Sequence, residues 1–174
     1  MGRPLTFGLT FLAVAGTSAC SSDYPARPDG PVLDQAAVIP DVAEQALEGR
    51  LRQYFRTRCR AVVVVTLPSL NGQTIERYAT DLANRWKIGD SVHGDGVLLL
   101  VAPADHQVRV EVSKSLERVL SDRAAAEVIQ SGMLSNYKRG DYEGGIARGI
   151  DEITRRLDAA PQTKPACNPD RAAA

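Results

Sequence analysis

Two uninterrupted aliphatic runs constrain this chain more than any other feature. Ala61 to Leu67 reads Ala-Val-Val-Val-Val-Thr-Leu, and Gly96 to Ala102 reads Gly-Val-Leu-Leu-Leu-Val-Ala. A strand with one wet face alternates apolar and polar residues. Neither run alternates, so both are predicted as strands buried on both faces. Between them Ile75, Tyr78, Ala79, Leu82, Ala83 and Trp86 fall on one helical stripe. Strand, helix and strand make a right-handed parallel crossover. After a tight turn at Pro103 to His106, Val108, Val110 and Val112 alternate with Arg109 and Glu111. That is a third strand with one wet face, returning antiparallel.

Helices complete the pattern. Asp41, with Glu44 three residues on, has the spacing of a capping box. It opens a helix carrying Ala43, Leu47, Leu51, Tyr54 and Phe55 on one face. Ser121 or Asp122 opens a second, with Ala125, Val128, Ile129 and Met133. Asp141 opens the last, with Tyr142, Ile146, Ile150, Ile153 and Leu157. The Gly144-Gly145 pair within it suits close helix packing rather than a phosphate loop, since no Gly-rich loop with a lysine is present. The expected fold class is α/β: a small, mixed, mostly parallel sheet packed by helices in a single domain, spanning residues 32–158.

The ends read differently. Arg3, a mostly apolar run from Leu5 to Val14, and the small residues Gly16 to Ala19 make residues 1–20 a predicted export signal. The apolar run is shorter than the ~20 residues of a spanning helix. Cys20 follows directly, as in lipoprotein signals whose first mature residue is a lipidated cysteine. The usual leucine three residues earlier is replaced by Thr17. Plain secretion, with cleavage after Ala19 or Ala15, is the alternative. The expected location is therefore the cell envelope, periplasm or outer surface, with the membrane reached through a lipid. Residues 21–31 hold Pro25, Pro28, Gly30 and Pro31 and read as a linker. Residues 159–174 read as a flexible tail. Export leaves Cys59 and Cys167 as an even pair in an oxidising compartment, which points to one disulfide. Two unrelated thiols are the other possibility. Lys plus Arg equals Asp plus Glu, 21 each. Without a basic excess, nucleic acid is excluded as a general partner.

Strand directions sort the acidic residues to two ends of the sheet. Asp34 and Asp41 should start near the end of the first buried strand, with Thr66, Ser69 and the hairpin tip at Asp105. Asp95 enters the second strand at the opposite end, where Ser113 and Ser115 leave the third and Asp122 lies near.

Several stretches, in order, resemble the TPM domain family. They are Val32-Leu33-Asp34-Gln35-Ala36, Val64 to Leu70, Ile75-Glu76-Arg77-Tyr78-Ala79 and Trp86-Lys87-Ile88-Gly89. They continue with Gly96 to Ala102 followed by Asp105 and Val108 to Val112, then Leu116-Glu117, Leu120-Ser121-Asp122 and Gly140-Asp141-Tyr142. The family includes a thylakoid-lumen protein linked to photosystem II repair with acid phosphatase activity, and exported bacterial proteins. Some members bind calcium through acidic residues. The resemblance implies a calcium site drawn from Asp34, Asp95, Asp105, Glu111 and Asp122, although residues at opposite ends cannot share one ion. Each also has an ordinary role in a cap, turn or wet strand face. Two departures stand out. Ser113-Lys114-Ser115 replaces a usual Gly-x-Gly, and His106 stands where arginine is common.

Other chemistry is sparse. His93 and His106 lie in separate loops without partners at ligand spacing. Thr66, Ser69, Ser113 and Ser115 have no base near them in sequence. The function expected is a lipid-anchored envelope module that binds a divalent cation, calcium being the candidate, and an unidentified envelope protein. The alternatives are a metal-assisted phosphatase and a purely structural lipoprotein.

Overall fold

The two aliphatic runs form the middle of the sheet. A computed structural model describes residues 24–89 and 95–160. The stretch read as an export signal at 1–20, Cys20, His93, Cys167 and all but the start of the 159–174 tail lie outside the described residues. Strands β1 (Val32–Asp34), β2 (Arg60–Thr66), β3 (Asp95–Ala102) and β4 (Gln107–Val112) lie in the order β1-β2-β3-β4. The first three are parallel and β4 returns antiparallel. Every residue of β3 is buried, as its unbroken apolar run requires. Sequence periodicity does not mark β1, because three residues are too few to carry a period. Register supplies what periodicity cannot, with Val32 opposite Val64 and Asp34 opposite Thr66.

The helices are α1 (Asp41–Arg58), α2 (Ile75–Arg85), α3 (Asp122–Val128), α4 (Leu134–Tyr137) and α5 (Tyr142–Asp158). A π-helical turn, Ile129–Met133, joins α3 to α4. The expected capping box at Asp41 does not form. Pro40 holds the N-cap position with φ −58°, and its carbonyl takes the Glu44 amide at 2.9 Å. Asp41 becomes the first helical residue, where its charge still suits the helix dipole. Ser121 caps α3, its hydroxyl accepting the Ala124 amide at 3.3 Å. Asp141 caps α5 through the Gly144 amide at 2.9 Å. Gly145 lets α5 close on the preceding helix: a Cβ there would stand 2.3 Å from Cε1 of Tyr137. Among the described residues no helix is long and apolar enough to cross a membrane.

Two cores result. On one face Val62, Val64, Val97, Leu99, Val101 and Val110 meet residues of α1, α3, the π turn and α5. On the other, Val65, Leu98, Leu100 and Ala102 meet α2 through Ile75, Tyr78, Ala79, Leu82 and Trp86.

The segment read as a linker is laid along this second face from Tyr24 onward. The Tyr24 ring stacks on Tyr78 at 4.6 Å, and the Arg85 guanidinium covers it at 4.4 Å. Its hydroxyl donates to Asp81 Oδ2 at 2.9 Å. Trp86 Nε1 donates to the Pro25 carbonyl at 3.2 Å, and Arg27 donates to the Trp86 carbonyl at 3.0 Å. One aromatic residue, held by Tyr78, Arg85, Asp81 and Gln73, fastens a stretch that its prolines alone would leave as a spacer.

Candidate functional site

One end of the sheet gathers Asp34, Thr66, Ser69 and Asp105. Asp34 lies beside Thr66 because β1 and β2 pair in parallel. Its Oδ1 accepts the Thr66 hydroxyl and the Val38 amide (3.2 Å), and its Oδ2 accepts the Ile39 amide at 2.7 Å. Asp105, at the β3–β4 hairpin tip, accepts the Leu70 amide at 2.7 Å and the Ser69 hydroxyl at 3.2 Å. The fold thus gives Thr66 and Ser69 carboxylates that sequence proximity does not reveal. Each carboxylate also receives backbone N–H groups, so the pairs fix turns. Nearby, burial and then the charges of Asp34, Glu48 and Asp41 push the Glu44 carboxyl above its ordinary value.

At the opposite end Asp95 stands across from Arg60 in the parallel register. The two form a buried ion pair at 3.8 Å. Arg60 also donates to the carbonyls of Leu157 and Ala160. A buried cation on the last carbonyls of α5 ties that helix end to the base of the sheet. Glu111, on the wet face of β4, accepts from Thr80 at 2.9 Å and from Arg109 at 2.9 and 3.1 Å. Asp122 is exposed in the first turn of α3. The five acidic candidates are therefore spread over separate places. Among the described residues, no three of His, Cys, Asp and Glu converge as a metal group.

A polar cleft of 480 Å³ opens between α2 and β4. Thr80, Asn84 and Lys87 form one bank, and Glu111, Lys114 and Glu117 the other. Its floor is a close backbone junction. Gly89 has φ +75°, and a Cβ there would stand 2.4 Å from Ser113 Cβ and 2.7 Å from the Gly96 nitrogen. Glycine is required on both counts. Ser113 Oγ accepts the Gly96 amide at 3.0 Å and lies 3.1 Å from Ser115 Oγ. The serine turn therefore fills, with its own hydroxyl, an amide that a glycine at position 113 would leave open. Sequence reasoning found Glu111 and Ser113 but missed Thr80, Asn84, Lys87 and Glu117. The signal available was helical spacing: 80 and 84 form a polar flank beside the apolar stripe, and Lys87, with φ +54°, follows the end of the helix. A wider cleft of 610 Å³, between the hairpin tip at His106 and the start of α2, lies at the other end.

A four-stranded mixed sheet with one helix on one face and several on the other defines a small α/β module. The chain belongs to the TPM domain family, which matches residues 32–156. It is similar to the N-terminal domain of a protein from P. gingivalis, solved by solution NMR, at 28% identity and TM-score 0.70. That likeness covers 75% of this chain and 83% of the other. The N-terminal domain of the cg2496 protein from Corynebacterium glutamicum shares the fold at 11% identity and TM-score 0.59, covering 91% and 93%. So does the BA42 protein from Bizionia argentinensis, at 20% identity and TM-score 0.61, covering 75% and 89%. No match is found among curated proteins.

Proposed function

We propose that this chain is a binding module of the cell envelope, tethered by a lipid on Cys20, that holds a protein partner in the cleft between α2 and β4. The observation that carries this reading is how the hydroxyl and carboxylate groups are used. Thr66, Ser69 and Ser113 are all engaged with carboxylates or backbone amides that fix turns. A nucleophile needs a free hydroxyl within reach of a base that is itself oriented for proton transfer. The α2–β4 cleft, by contrast, is open, polar and lined by both signs of charge, which suits selective recognition.

A divalent cation is proposed at the Asp34 end. Burial first, and then the charges of Asp34, Glu48 and Asp41, raise the Glu44 carboxyl there, and a cation bound to the folded state would relieve the like-charge part of that shift. At a hundredfold excess over Kd it would stabilise by ~2.7 kcal/mol, or about 5 °C for a domain of this size. A Cys59–Cys167 disulfide is proposed as well. Arg60, next to Cys59, holds the Ala160 carbonyl, and the seven residues from there to Cys167 span up to ~25 Å.

A photo-crosslinker at Asn84 or Lys114 in living cells tests the partner claim. It should trap a discrete envelope protein, while the same group at Arg155 on the outer surface of α5 should not. Equal trapping at all three positions would refute the cleft as the binding surface. Calcium, but not sodium chloride of equal ionic strength, should raise the melting temperature, and Asp34→Ala should remove the shift. Phosphomonoester turnover that depends on calcium and is lost in Asp34→Ala would overturn the non-catalytic reading.

A further inference from the structure

The ordered strap from Tyr24 to Pro31 constrains how the domain stands on its anchor. From Cys20 to Tyr24 there are four Cα steps, a reach of at most ~14 Å. A domain of this length has a radius of gyration on the order of 14 Å, so its width is more than twice that leash. The strap leads into β1, one edge of the sheet, where the Pro31 carbonyl accepts the Val64 amide at 2.8 Å. It grips the flank of α2 that carries Tyr78, Asp81 and Arg85. The cleft uses the other flank, at Thr80 and Asn84, with Lys87 just past the helix end, over the opposite edge strand β4. Thr80 and Asp81, and likewise Asn84 and Arg85, are consecutive residues and so point about 100° apart around the helix.

Both sides carry both signs of charge, but the strap side presents three arginines. Arg27, Arg77 and Arg85 are exposed on the strap side, the Arg77 side chain being 79% exposed. Asp81, 3.7 Å from Arg77, and the exposed Asp29 lie among them, with Glu48 of α1 beside Gly30. The cleft side mixes Lys87 and Lys114 with Glu111 and Glu117.

We infer that the strap holds the β1 edge and the adjoining flank of α2 against the bilayer, with Arg27, Arg77 and Arg85 facing anionic headgroups, and turns the α2–β4 cleft toward the aqueous side. This rests on the lipid anchor at Cys20 proposed above. The partner of the cleft then approaches from solution, and the bilayer occupies the arginine flank.

The full chain, purified from membranes of a bacterial host and placed in anionic nanodiscs carrying a gadolinium-chelating lipid, tests the orientation. Intact mass first reports whether Cys20 is acylated. Amide relaxation enhancement should then be several-fold larger at Arg77 and Asp81 than at Ser113 and Glu117. A Gly-Ser insertion of about 20 residues between Ser22 and Asp23, with an r.m.s. span of ~25 Å, should equalise the two sets. An acylated chain with equal or reversed enhancement, or an insertion without effect, overturns the orientation and leaves the anchor standing. An unacylated Cys20 overturns the anchor and the orientation with it.

Discussion

The two faces of the sheet are covered very unequally. One carries α1, α3, the π turn and α5, and the other carries α2 and the strap at Tyr24. A helix is about 10 Å across, whereas four strands at about 4.8 Å spacing span more than that. A single helix cannot cover the whole face. The strap closes the gap on the β1 side, and the gap on the β4 side remains as the cleft. The thick face holds the larger buried core, and the thin face leaves an open cleft. Neighbouring residues of β3 report the two sides separately, since Leu99 faces the thick layer and Leu98 and Leu100 the thin one.

The largest test of this contrast is a pair of truncations. Leu99→Ala and Leu100→Ala remove equal atoms from fully buried positions on opposite faces. Both should cost about 2–5 kcal/mol, with Leu100→Ala at the lower end because a thin layer can collapse into the void. Urea denaturation decides it, and a larger loss for Leu100→Ala would break the comparison.

The proposed disulfide staples the thick face, because Cys59 ends α1 and Ala160 follows α5. It would close a loop of about 107 residues, for which the chain-entropy treatment gives at most ~4.7 kcal/mol. Cys167→Ser should lower the stability of the oxidised protein and leave the reduced protein unchanged. Thiol labelling of the unreduced chain at both Cys59 and Cys167 would refute the bridge.

On the thin face, Tyr24→Ala should cost about 2 kcal/mol, through loss of the ring stack on Tyr78 and the cation–π contact with Arg85. Tyr24→Phe, which removes the hydroxyl and its hydrogen bonds to Asp81 and Gln73, should cost about 1 kcal/mol. Hydrogen exchange should rise along the α2 flank in Tyr24→Ala, with α5 unaffected.

The smallest effect concerns the outer surface of the thick face. Glu152 bridges Arg155 and Arg156, and these hydrogen bonds lower its carboxyl to about 2. A carboxyl lowered by folding contributes stability above its ordinary value near 4.5. That contribution is lost as pH falls toward 2. Glu152→Gln should therefore cost less than about 1 kcal/mol near neutrality. The difference from the parent protein should vanish along the acid limb, read by chemical denaturation at successive pH values.

Much of this architecture was legible where burial imposes a pattern. The runs at Val62 to Thr66 and Val97 to Val101 could only be strands covered on both sides, and the stripe from Ile75 to Trp86 placed α2. Asp141 was legible as a cap because its side chain acts within its own turn. The features that stayed hidden depend on contacts between distant residues. Pairing of Asp34 with Thr66 and of Asp105 with Ser69 spans more than thirty residues. The cleft is assembled from a helix flank and a strand end, neither distinctive alone. The strap looked like a spacer because its prolines dominate the composition, while its attachment depends on Tyr24 finding Tyr78 and Arg85.

The π turn between α3 and α4 has a consequence for how this domain tolerates changes in length. Val128 and Met133 are both fully buried although they stand five positions apart, and an α-helical stripe repeats at three or four. The wide turn absorbs one surplus residue without disturbing the helical phase of α4. Deleting one residue between Ile129 and Gly132 would restore ordinary helical pitch and still deliver Met133 and Tyr137 to α5. The same deletion inside α5 would rotate its remaining apolar side chains by about 100° away from the sheet. Insertions and deletions should thus be unequal in effect along this helical layer, with the π turn acting as its expansion joint.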